Sequence, residues 1–347
     1  MRLIEIIKKN NYKTISIVGL AKNAGKTVTL NYLIEESIIN KMKIGITSAG
    51  RDGEKIDVAT NTEKPSIYVI KGMLVATAKQ AMMLSDVFLE IIEATNINTP
   101  MGEVIISRVK RNGYIQIAGP VNSTDMKYVC ERLNFYGADL VFVDGAIDRR
   151  AVSSPSVTDA CIIATGAVLS RDMKKVINMT AHAVECFKVE EVSNKIKQII
   201  LENYKTSIIQ NAGNLKNSKE VIIPNIEVNI ISGKIISEYI SINTTHVFIK
   251  GAVTSKLLRD ISQNKYFKNI VIIVEDGTKI FADIDTWKDL KVKGLKIMVL
   301  NKIEIIALSL NPISPEGYYF DSEEFKSKIS RCISDIKIID VVSGGDK

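Results

Sequence analysis

Short apolar runs rich in β-branched residues alternate with stretches of helical periodicity along most of the chain. Residues 14–18 form such a run, and residues 26–40 carry apolar positions at helical spacing. Unbroken apolar runs, such as residues 140–143, are typical of strands buried on both faces of a parallel sheet. The alternation therefore predicts an α/β protein with a mainly parallel sheet flanked by helices. In the N-terminal half it predicts further strands at residues 43–47, 103–109, 114–118 and 160–164 and further helices at residues 74–94, 123–133 and 172–187.

The C-terminal half repeats this alternation after a less patterned region at about residues 190–214. We place a domain boundary there, which gives an N-terminal domain at residues 1–190 and a C-terminal α/β domain of unassigned role at residues 191–347. The second domain is expected to contain strands at residues 246–250, 269–274, 297–300, 303–308 and 336–342 and helices at residues 254–263 and 321–333.

Two local signals refine this pattern. Asn112-Gly113 is a favoured pair for a tight turn, so it predicts that residues 103–109 and 114–118 pair as a hairpin. The Ser123 hydroxyl can accept a hydrogen bond from a backbone N–H at the start of a helix. We therefore expect Ser123 to cap the helix at residues 123–133.

The strongest chemical signal lies between the first strand and the first long helix. The apolar residues 15–18 lead into a loop bounded by Gly19 and Gly25, and a helix follows at once. In that position a loop can turn its backbone N–H groups toward phosphate oxygens, aided by the positive end of the helix. Gly25 would let the backbone approach the phosphates closely. Lys26 is expected to reach the β and γ oxygens, and the Thr27 hydroxyl to coordinate magnesium.

The loop differs in length from the common phosphate-binding pattern. Five residues separate Gly19 from Gly25, whereas the common pattern has four. In this it resembles the loops of dethiobiotin synthetase-like proteins, so it favours that branch of P-loop NTPases. Lys22 either adds a cation near the nucleotide or faces solvent, because the signature lysine of related ATPases stands one position earlier, at Ala21. The candidate nucleotide-binding residues are Gly19, Lys22, Asn23, Ala24, Gly25, Lys26, Thr27 and Val28, and Lys26 is also a candidate catalytic residue.

A second signal is the apolar run at residues 140–143, which ends in Asp144 and Gly145. An acid at the end of a buried strand lies at the carboxyl edge of the sheet, where ligands of open α/β sheets collect. Asp144 is therefore expected to hold Mg²⁺, directly or through water, together with Thr27. A strand that ends in an ordinary Asp-Gly turn is the alternative.

Polar residues also follow the strand predicted at residues 43–47. Asp52 and Glu54 are the candidate catalytic residues of this segment, because a carboxylate there can orient a water molecule at the γ-phosphate. Arg51 or Thr47 is a candidate contact for phosphate or substrate oxygens. A polar loop held by its own turn hydrogen bonds explains the segment equally well.

One further segment is similar to the guanine-reading Asn-Lys-x-Asp element of GTPases. Asn301-Lys302-Ile303-Glu304 has Glu in place of Asp and lies far along the chain from the loop. In a chain rich in Lys and Asn, coincidence is the better explanation, so we do not predict a GTPase.

Composition excludes several classes of protein. The 347 residues are 46% hydrophobic and 24% charged, which is typical of a globular chain and not of a disordered one. The net charge of +7 comes from lysines interleaved with acids, and the densest basic run, residues 108–111, is expected at a solvated hairpin tip, so we do not expect nucleic acid as a partner. Four dispersed cysteines suit buried thiols in a reducing compartment. With no apolar run of about 20 residues and an acid at Glu5, we expect a cytoplasmic protein without a membrane span.

With these segments in view, the chain resembles the P-loop subunit of lysine 5,6-aminomutase reactivase. The resemblance covers residues 17–32, 47–54 and 143–149, as well as the overall length. It implies an ATPase that uses ATP, or another nucleoside triphosphate, with Mg²⁺ to reactivate an adenosylcobalamin-dependent aminomutase after its cofactor is damaged. It also implies a companion reactivase subunit, and it is compatible with a homodimer.

Two other functions fit the same signals. The first is an ATP-dependent small-molecule synthetase or kinase similar to dethiobiotin synthetase, which would need a small acceptor and no protein partner. The second is a partitioning-type ATPase that binds nucleic acid, which the basic charge favours weakly. Steeply salt-dependent DNA binding would distinguish the second from the others.

Overall fold

The computed structural model describes residues 2–49, 67–145, 154, 156–211, 219–222 and 232–342. The chain divides into two compact units. We call the first, Met1–Ala181 with Glu304–Lys347, the large unit, and the second, His182–Ile303, the small unit. None of the described helices is both long and apolar enough to cross a bilayer.

Strands and helices are numbered in chain order through both units. The strands are β1 (Thr14–Gly19), β2 (Ile44–Ser48), β3 (Ile67–Val69), β4 (Leu74–Ala78), β5 (Leu89–Thr99), β6 (Gly102–Val109), β7 (Gly113–Ile115), β8 (Leu140–Gly145), β9 (Ala160–Gly166), β10 (Ser207–Asn211), β11 (Lys219–Ile222), β12 (Thr244–Phe248), β13 (Val253–Thr254), β14 (Val271–Val274), β15 (Ile280–Phe281), β16 (Ile297–Val299), β17 (Ile305–Asn311) and β18 (Lys337–Asp340). The helices are α1 (Leu3–Lys9), α2 (Lys26–Ile39), α3 (Lys79–Met83), α4 (Ser123–Phe135), α5 (Met173–Phe187), α6 (Asn194–Asn203), α7 (Gly233–Glu238), α8 (Ser255–Ile261), α9 (Ile284–Val292) and α10 (Ser322–Cys332).

The large unit is built on a nine-stranded sheet of order β18-β17-β9-β1-β8-β2-β4-β6-β5. The strands from β18 to β4 are parallel, and β6 and β5 complete the sheet in antiparallel pairing. Every residue of β1 and β9 is buried, as the unbroken apolar runs predict for strands covered on both faces. The prediction of an α/β fold with a large, mainly parallel sheet flanked by helices is confirmed.

Residues 74–94 are not the predicted helix. The segment contains β4, the short helix α3 and the start of β5. All five residues of β4 are buried in the sheet, and such a short, continuously apolar run fits a helix or a strand equally well by periodicity. Pairing with β2 and β6 decides the conformation here.

The predicted hairpin around Asn112-Gly113 is also wrong. β6 pairs with β4 and β5, whereas β7 leaves that sheet and pairs antiparallel with β3. Asn112 instead accepts a hydrogen bond on its Oδ1 from the backbone N–H of Lys71, at 2.8 Å. The N-cap of α4 is Asn122, one residue before the predicted Ser123, because the Asn122 side chain accepts the hydrogen bond from the Asp125 N–H.

The predicted division at residue 190 differs from the observed units. After the small unit the chain returns to the large sheet, where β17 pairs with β9 and β18 pairs with β17. Residues 306–310 of β17, apolar except for Ser309, are buried in this sheet. Sequence patterning identified β17 and β18 as strands but carries no information about which sheet a late strand joins.

The small unit contains a five-stranded sheet of order β11-β10-β12-β14-β16. β12, β14 and β16 are parallel, and β10 and β11 are antiparallel. Its core includes Phe248 and Trp287, the single tryptophan of the chain. Three cysteines of the chain are buried and Cys332 is exposed, so the expectation of buried thiols holds for three of the four.

Helix α9 of the small unit begins with a capping carboxylate. Asp283 accepts a hydrogen bond on Oδ1 from the Thr286 N–H at 2.8 Å. The Ser255 hydroxyl, followed by the Thr286 N–H and hydroxyl, holds the pKa of Asp283 well below its usual range. A carboxyl with a lowered folded-state pKa stabilises the fold above its unfolded-state pKa, and that contribution is lost as the pH falls through the folded-state pKa.

Asp283→Ala is therefore expected to lower the free energy of unfolding by about 1 kcal/mol at neutral pH, as loss of a helix cap typically does. The difference from the wild type should narrow once the pH falls below about 3.9, the ordinary pKa of Asp. Urea unfolding at a series of pH values measures both quantities. Asp285→Ala, in the same first turn, is the control. An equal loss in the control, or a difference that persists undiminished into acid, would contradict the capping role.

Candidate functional site

The loop between β1 and α2, residues 20–25, has the backbone of a tight anion-binding turn. Asn23 and Gly25 both lie in the left-handed region, with φ of +61° and +100°. The Leu20 N–H donates to Ala164 O on β9 at 2.9 Å, which ties the start of the loop to the sheet. We call this segment the β1–α2 loop.

Several backbone N–H groups at the loop and helix start have no acceptor. Within the described part of the chain, no hydrogen bond is made by the N–H groups of Asn23, Gly25, Lys26 and Thr27. The first N–H groups of a helix lack an intrahelical partner, and the helix dipole makes that end attractive to anions. Such groups beside a left-handed turn form a concave set of donors suited to phosphate oxygens.

Lys26 places its side chain back across this loop. A Cβ added to Gly19 would lie 2.8 Å from Cγ of Lys26 and 3.0 Å from its Cδ, so the methylene stem of the lysine crosses directly over Gly19. Any larger residue at position 19 would force this stem aside. The Lys26 ammonium forms no ion pair with any residue in the described ranges. It is thus a half-buried cation beside open N–H donors.

The other side of the loop is braced by the end of β17. A Cβ on Gly25 would lie 2.9 Å from Cβ of Asn311, and the Asn311 amide donates to Asn23 O at 3.4 Å. One turn into α2, the Thr29 hydroxyl donates to Gly25 O at 3.0 Å and shares a buried hydrogen bond with the Ser309 hydroxyl at 2.7 Å. The sheet therefore fixes the loop through side chains nearly 290 residues away along the chain.

Asp144 lies at the same carboxyl edge of the sheet as the loop. Its register partners are Ile17 on β1 and Ser48 on β2, and its backbone carbonyl accepts from the Ala49 N–H at 2.8 Å. The carboxylate is half-buried, with Oδ1 inaccessible to solvent. Thr27, in the first turn of α2, is also half-buried. A carboxylate and a hydroxyl are oxygen ligands of the kind Mg²⁺ prefers, so the donor set at this edge fits that metal.

Gly119, which the sequence did not indicate as a site residue, packs against the end of β2. A Cβ on Gly119 would lie 2.0 Å from Ser48 O and 2.7 Å from Oγ1 of Thr47, so only glycine fits against this strand end. Thr47, a predicted phosphate or substrate contact, is fully buried. Its hydroxyl oxygen has no hydrogen-bond partner among the residues that the structure describes.

The structure thus brings together most of the predicted residues. Gly19, Gly25, Lys26, Thr27 and Asp144 converge on one edge of the sheet. Of the other loop residues, Ala24 is buried whereas Lys22, Asn23 and Val28 are exposed. Arg51, Asp52 and Glu54 lie outside the described residues. Lys302, from the segment similar to a guanine-reading element, lies in the small unit, where its ammonium pairs with Glu190 at 2.9 Å.

The contact of Asn311 with the β1–α2 loop was not predicted, because residues 311–315 match no motif with a known role. We expect Asn311→Ala to loosen the β1–α2 loop and to weaken nucleotide binding about fivefold, which corresponds to one hydrogen bond of about 1 kcal/mol. Calorimetric titration with ATP and Mg²⁺ measures the change. Asn301→Ala, the same substitution in the small unit, is the control and should leave the affinity unaltered. Equal affinities for Asn311→Ala and the wild type would show that Asn311 does not stabilise the loop for nucleotide binding.

Comparisons with protein-family models, curated proteins and solved structures found no match to this chain. Chemically, the edge of the sheet around the β1–α2 loop offers open N–H donors and one ammonium group to an anion. It offers two oxygen ligands to a divalent cation at Thr27 and Asp144. This arrangement is suited to a metal-bound polyphosphate.

Proposed function

We propose that this protein binds a magnesium-bound nucleoside triphosphate, ATP in the first instance, at the β1–α2 loop and hydrolyses it. The observation that carries the proposal is the Lys26 stem lying across Gly19 beside the open N–H groups of Gly25, Lys26 and Thr27. The first N–H groups of any helix lack an intrahelical partner, but here a cation is also held beside them, and the two together attract an anion. A polyphosphate satisfies both at once.

Each residue has a distinct part in this proposal. The loop N–H groups orient the phosphates, and the Lys26 ammonium neutralises charge that develops on the transferred phosphoryl oxygens. Thr27 and Asp144 would hold Mg²⁺, which supplies further neutralisation of phosphate charge when bound. Asp52 and Glu54 remain the candidates to orient the attacking water, on sequence grounds alone.

The biological use that we propose follows from the sequence resemblance. The protein would act as a reactivating factor for an adenosylcobalamin-dependent aminomutase, together with a companion reactivase subunit. Loops ordered by the γ-phosphate and relaxed after hydrolysis would change its affinity for the aminomutase. Release of the damaged cofactor then requires only that the two nucleotide states differ in their affinity for the two forms of the enzyme.

One observation favours a second candidate, an ATP-dependent synthetase or small-molecule kinase. The buried Thr47 hydroxyl, without a partner in the described ranges, lies on the strand next to β8 and Asp144. A buried hydroxyl of this kind is costly unless a bound group completes its hydrogen bonding. A small acceptor substrate beside the γ-phosphate would do so.

Reactivation of an inactivated aminomutase separates the two candidates. With ATP, Mg²⁺, fresh adenosylcobalamin, this protein and its companion subunit, aminomutase activity should return, and ADP in place of ATP should give no recovery. ATP hydrolysis without any small acceptor should accompany recovery. Failure to recover with every component present, with hydrolysis that appears only after a small acceptor is added, would favour the synthetase.

A further inference from the structure

A cavity of about 320 Å³ opens at the amino edge of the large sheet. β2 and β4 begin there, at Ile44 and Leu74, and both residues line the cavity. The β1–α2 loop and Asp144 lie at the opposite, carboxyl edge of the same parallel strands. The volume falls within the range of small-molecule pockets, which begins at about 300 Å³. We call it the basic cavity, for the reason given below.

The interior of the basic cavity is apolar. Met73 and Leu74 form a buried floor, and half-buried Ile38, Met42 and Ile70 form the walls. Each of these side chains presents carbon or sulfur to the space, so an apolar group placed there is removed from water. Such burial is worth roughly 25 cal/mol for every Å² of apolar surface.

Two exposed glycines are also part of the cavity lining. Gly72 and Gly137 both line it and both lie in the left-handed region, with φ of +97° and +98°. A Cβ on either residue would meet no heavy atom within 4 Å, so open space lies over both backbones.

The charged groups on the lining are all cationic. Lys43, Lys71 and Arg108 line the basic cavity, and among the residues that the structure describes no carboxylate lines it. Within the described ranges none of the three forms an ion pair. Asp139 accepts the backbone N–H of Lys43 at 2.8 Å, so one carboxylate lies beside this lysine without pairing with its ammonium. Glu90, opposite Arg108 in register, pairs with Lys110 at 2.8 Å.

This arrangement also accounts for the densest basic run of the sequence, residues 108–111. The run is not a hairpin tip, because β6 and β7 do not pair with each other, although Lys110 and Arg111 are exposed as predicted. Arg108 is half-buried against the cavity, Lys110 pairs with Glu90, and the Arg111 guanidinium donates to Asp86 O at 3.4 Å. Of the three basic residues in the run, only Arg108 lines the cavity.

We propose that the basic cavity binds a small amphipathic anion, with one carboxylate or phosphate group held by Lys43, Lys71 and Arg108 and a short apolar chain against Met73 and Leu74. Three cations that form no ion pair in the described ranges favour an anionic head group, and the apolar floor favours a ligand with an apolar part. Because the site lies at the edge of the sheet away from the β1–α2 loop, its occupancy does not depend on the proposed nucleotide chemistry.

Calorimetric titration of the full chain with octanoate tests the proposal, since a carboxylate probe avoids the phosphate-binding loop. Octanoate should bind at one site, and the neutral 1-octanol and the tailless acetate should each bind at least about tenfold more weakly. Lys71→Gln with Arg108→Gln should lower the affinity at least about tenfold, because hydrogen bonds to charged groups are lost. Lys110→Gln, in the same basic run but paired with Glu90, should change it less than about twofold.

A second measurement needs no variant. In the wild type, octanoate should protect Lys43 and Lys71 from acetylation by an amine-reactive reagent, read by mass spectrometry, and leave Lys110 reactive. Equal binding of octanoate and octanol, equal loss in Lys110→Gln, or no protection of Lys43 and Lys71 would overturn the proposal. Sedimentation with vesicles of anionic phospholipid, without binding of free octanoate, would also overturn it, because the cations would then belong to a lipid-binding surface.

Discussion

Replacing Lys26 by Met is expected to abolish measurable ATP hydrolysis and to weaken nucleotide binding by about 10- to 150-fold. The binding loss corresponds to the 1.5–3 kcal/mol typical of a hydrogen bond to a charged group. Hydrolysis should fall further, by about 10²–10³, because the ammonium also stabilises charge that develops in the transition state. Met keeps an unbranched stem over Gly19, so the fold of the loop should persist.

Lys13→Met is the matched control for this experiment. Lys13 is an exposed lysine immediately before β1, at the end of the strand away from the loop. Calorimetry and a phosphate-release assay on both variants, with thermal unfolding to confirm the fold, give the comparison. Unchanged nucleotide affinity in Lys26→Met, or an equal loss of affinity in Lys13→Met, would show that Lys26 does not bind the nucleotide.

Asp144→Asn is expected to reduce magnesium-dependent hydrolysis by about 10²–10³, comparable to the loss of one preorganised charged group in an active site. Nucleotide binding should weaken much less, because the loop N–H groups and Lys26 are intact. The amide of Asn is nearly the same size as the carboxylate but has lost the negative charge that draws a hard cation. A magnesium titration of turnover should therefore show a raised requirement for the metal as well as a lower plateau.

Asp139→Asn controls for the general loss of a carboxylate next to β8. Asp139 precedes the strand at its amino end, is exposed, and accepts a hydrogen bond that Asn can also accept. Its substitution should leave turnover within about twofold of the wild type. Turnover of Asp144→Asn equal to that of the wild type at saturating magnesium would count against the metal-binding role.

The β1–α2 loop and the strand that ends in Asp144 could be predicted because each lies in one continuous segment of the sequence. A strand, a glycine-bounded loop and a helix occupy residues 14–39, and a single run of apolar residues leads to Asp144. Their meeting at one edge follows from a parallel sheet, which the alternation of strands and helices already indicated. No knowledge of sheet order was needed for that step.

The remaining contacts depend on sheet order, which short-range patterns do not specify. Asn311 reaches Gly25 only because β17 joins the sheet beside β9, after the small unit has intervened. Gly119 contacts Thr47 because the chain passes the end of β2 before α4 begins. A single glycine before a proline is common in turns of many kinds, so the sequence did not indicate this contact. Residues 304–347 belong to the large unit because β17 and β18 join its sheet, and the predicted domain boundary differs from the observed one for that reason.

Helix and strand were confused where apolar residues were dense. Residues 74–94 have enough apolar positions to satisfy either period, and only their pairing with β2 and β6 selects the strand β4. The same ambiguity did not affect α2, because its 14 residues exceed the length of a typical strand.

If the open N–H groups of the β1–α2 loop hold a polyphosphate, amide hydrogen exchange of the peptide covering residues 20–28 should detect it. Without nucleotide, the N–H groups of Asn23, Gly25, Lys26 and Thr27 have no acceptor in the described structure and should exchange rapidly. Saturating Mg²⁺ with a non-hydrolysable ATP analogue should slow exchange in this peptide in the wild type, and Lys26→Met should need about 10- to 150-fold more of the analogue for the same protection. Exchange that is unaltered in the wild type at saturating nucleotide would contradict the account.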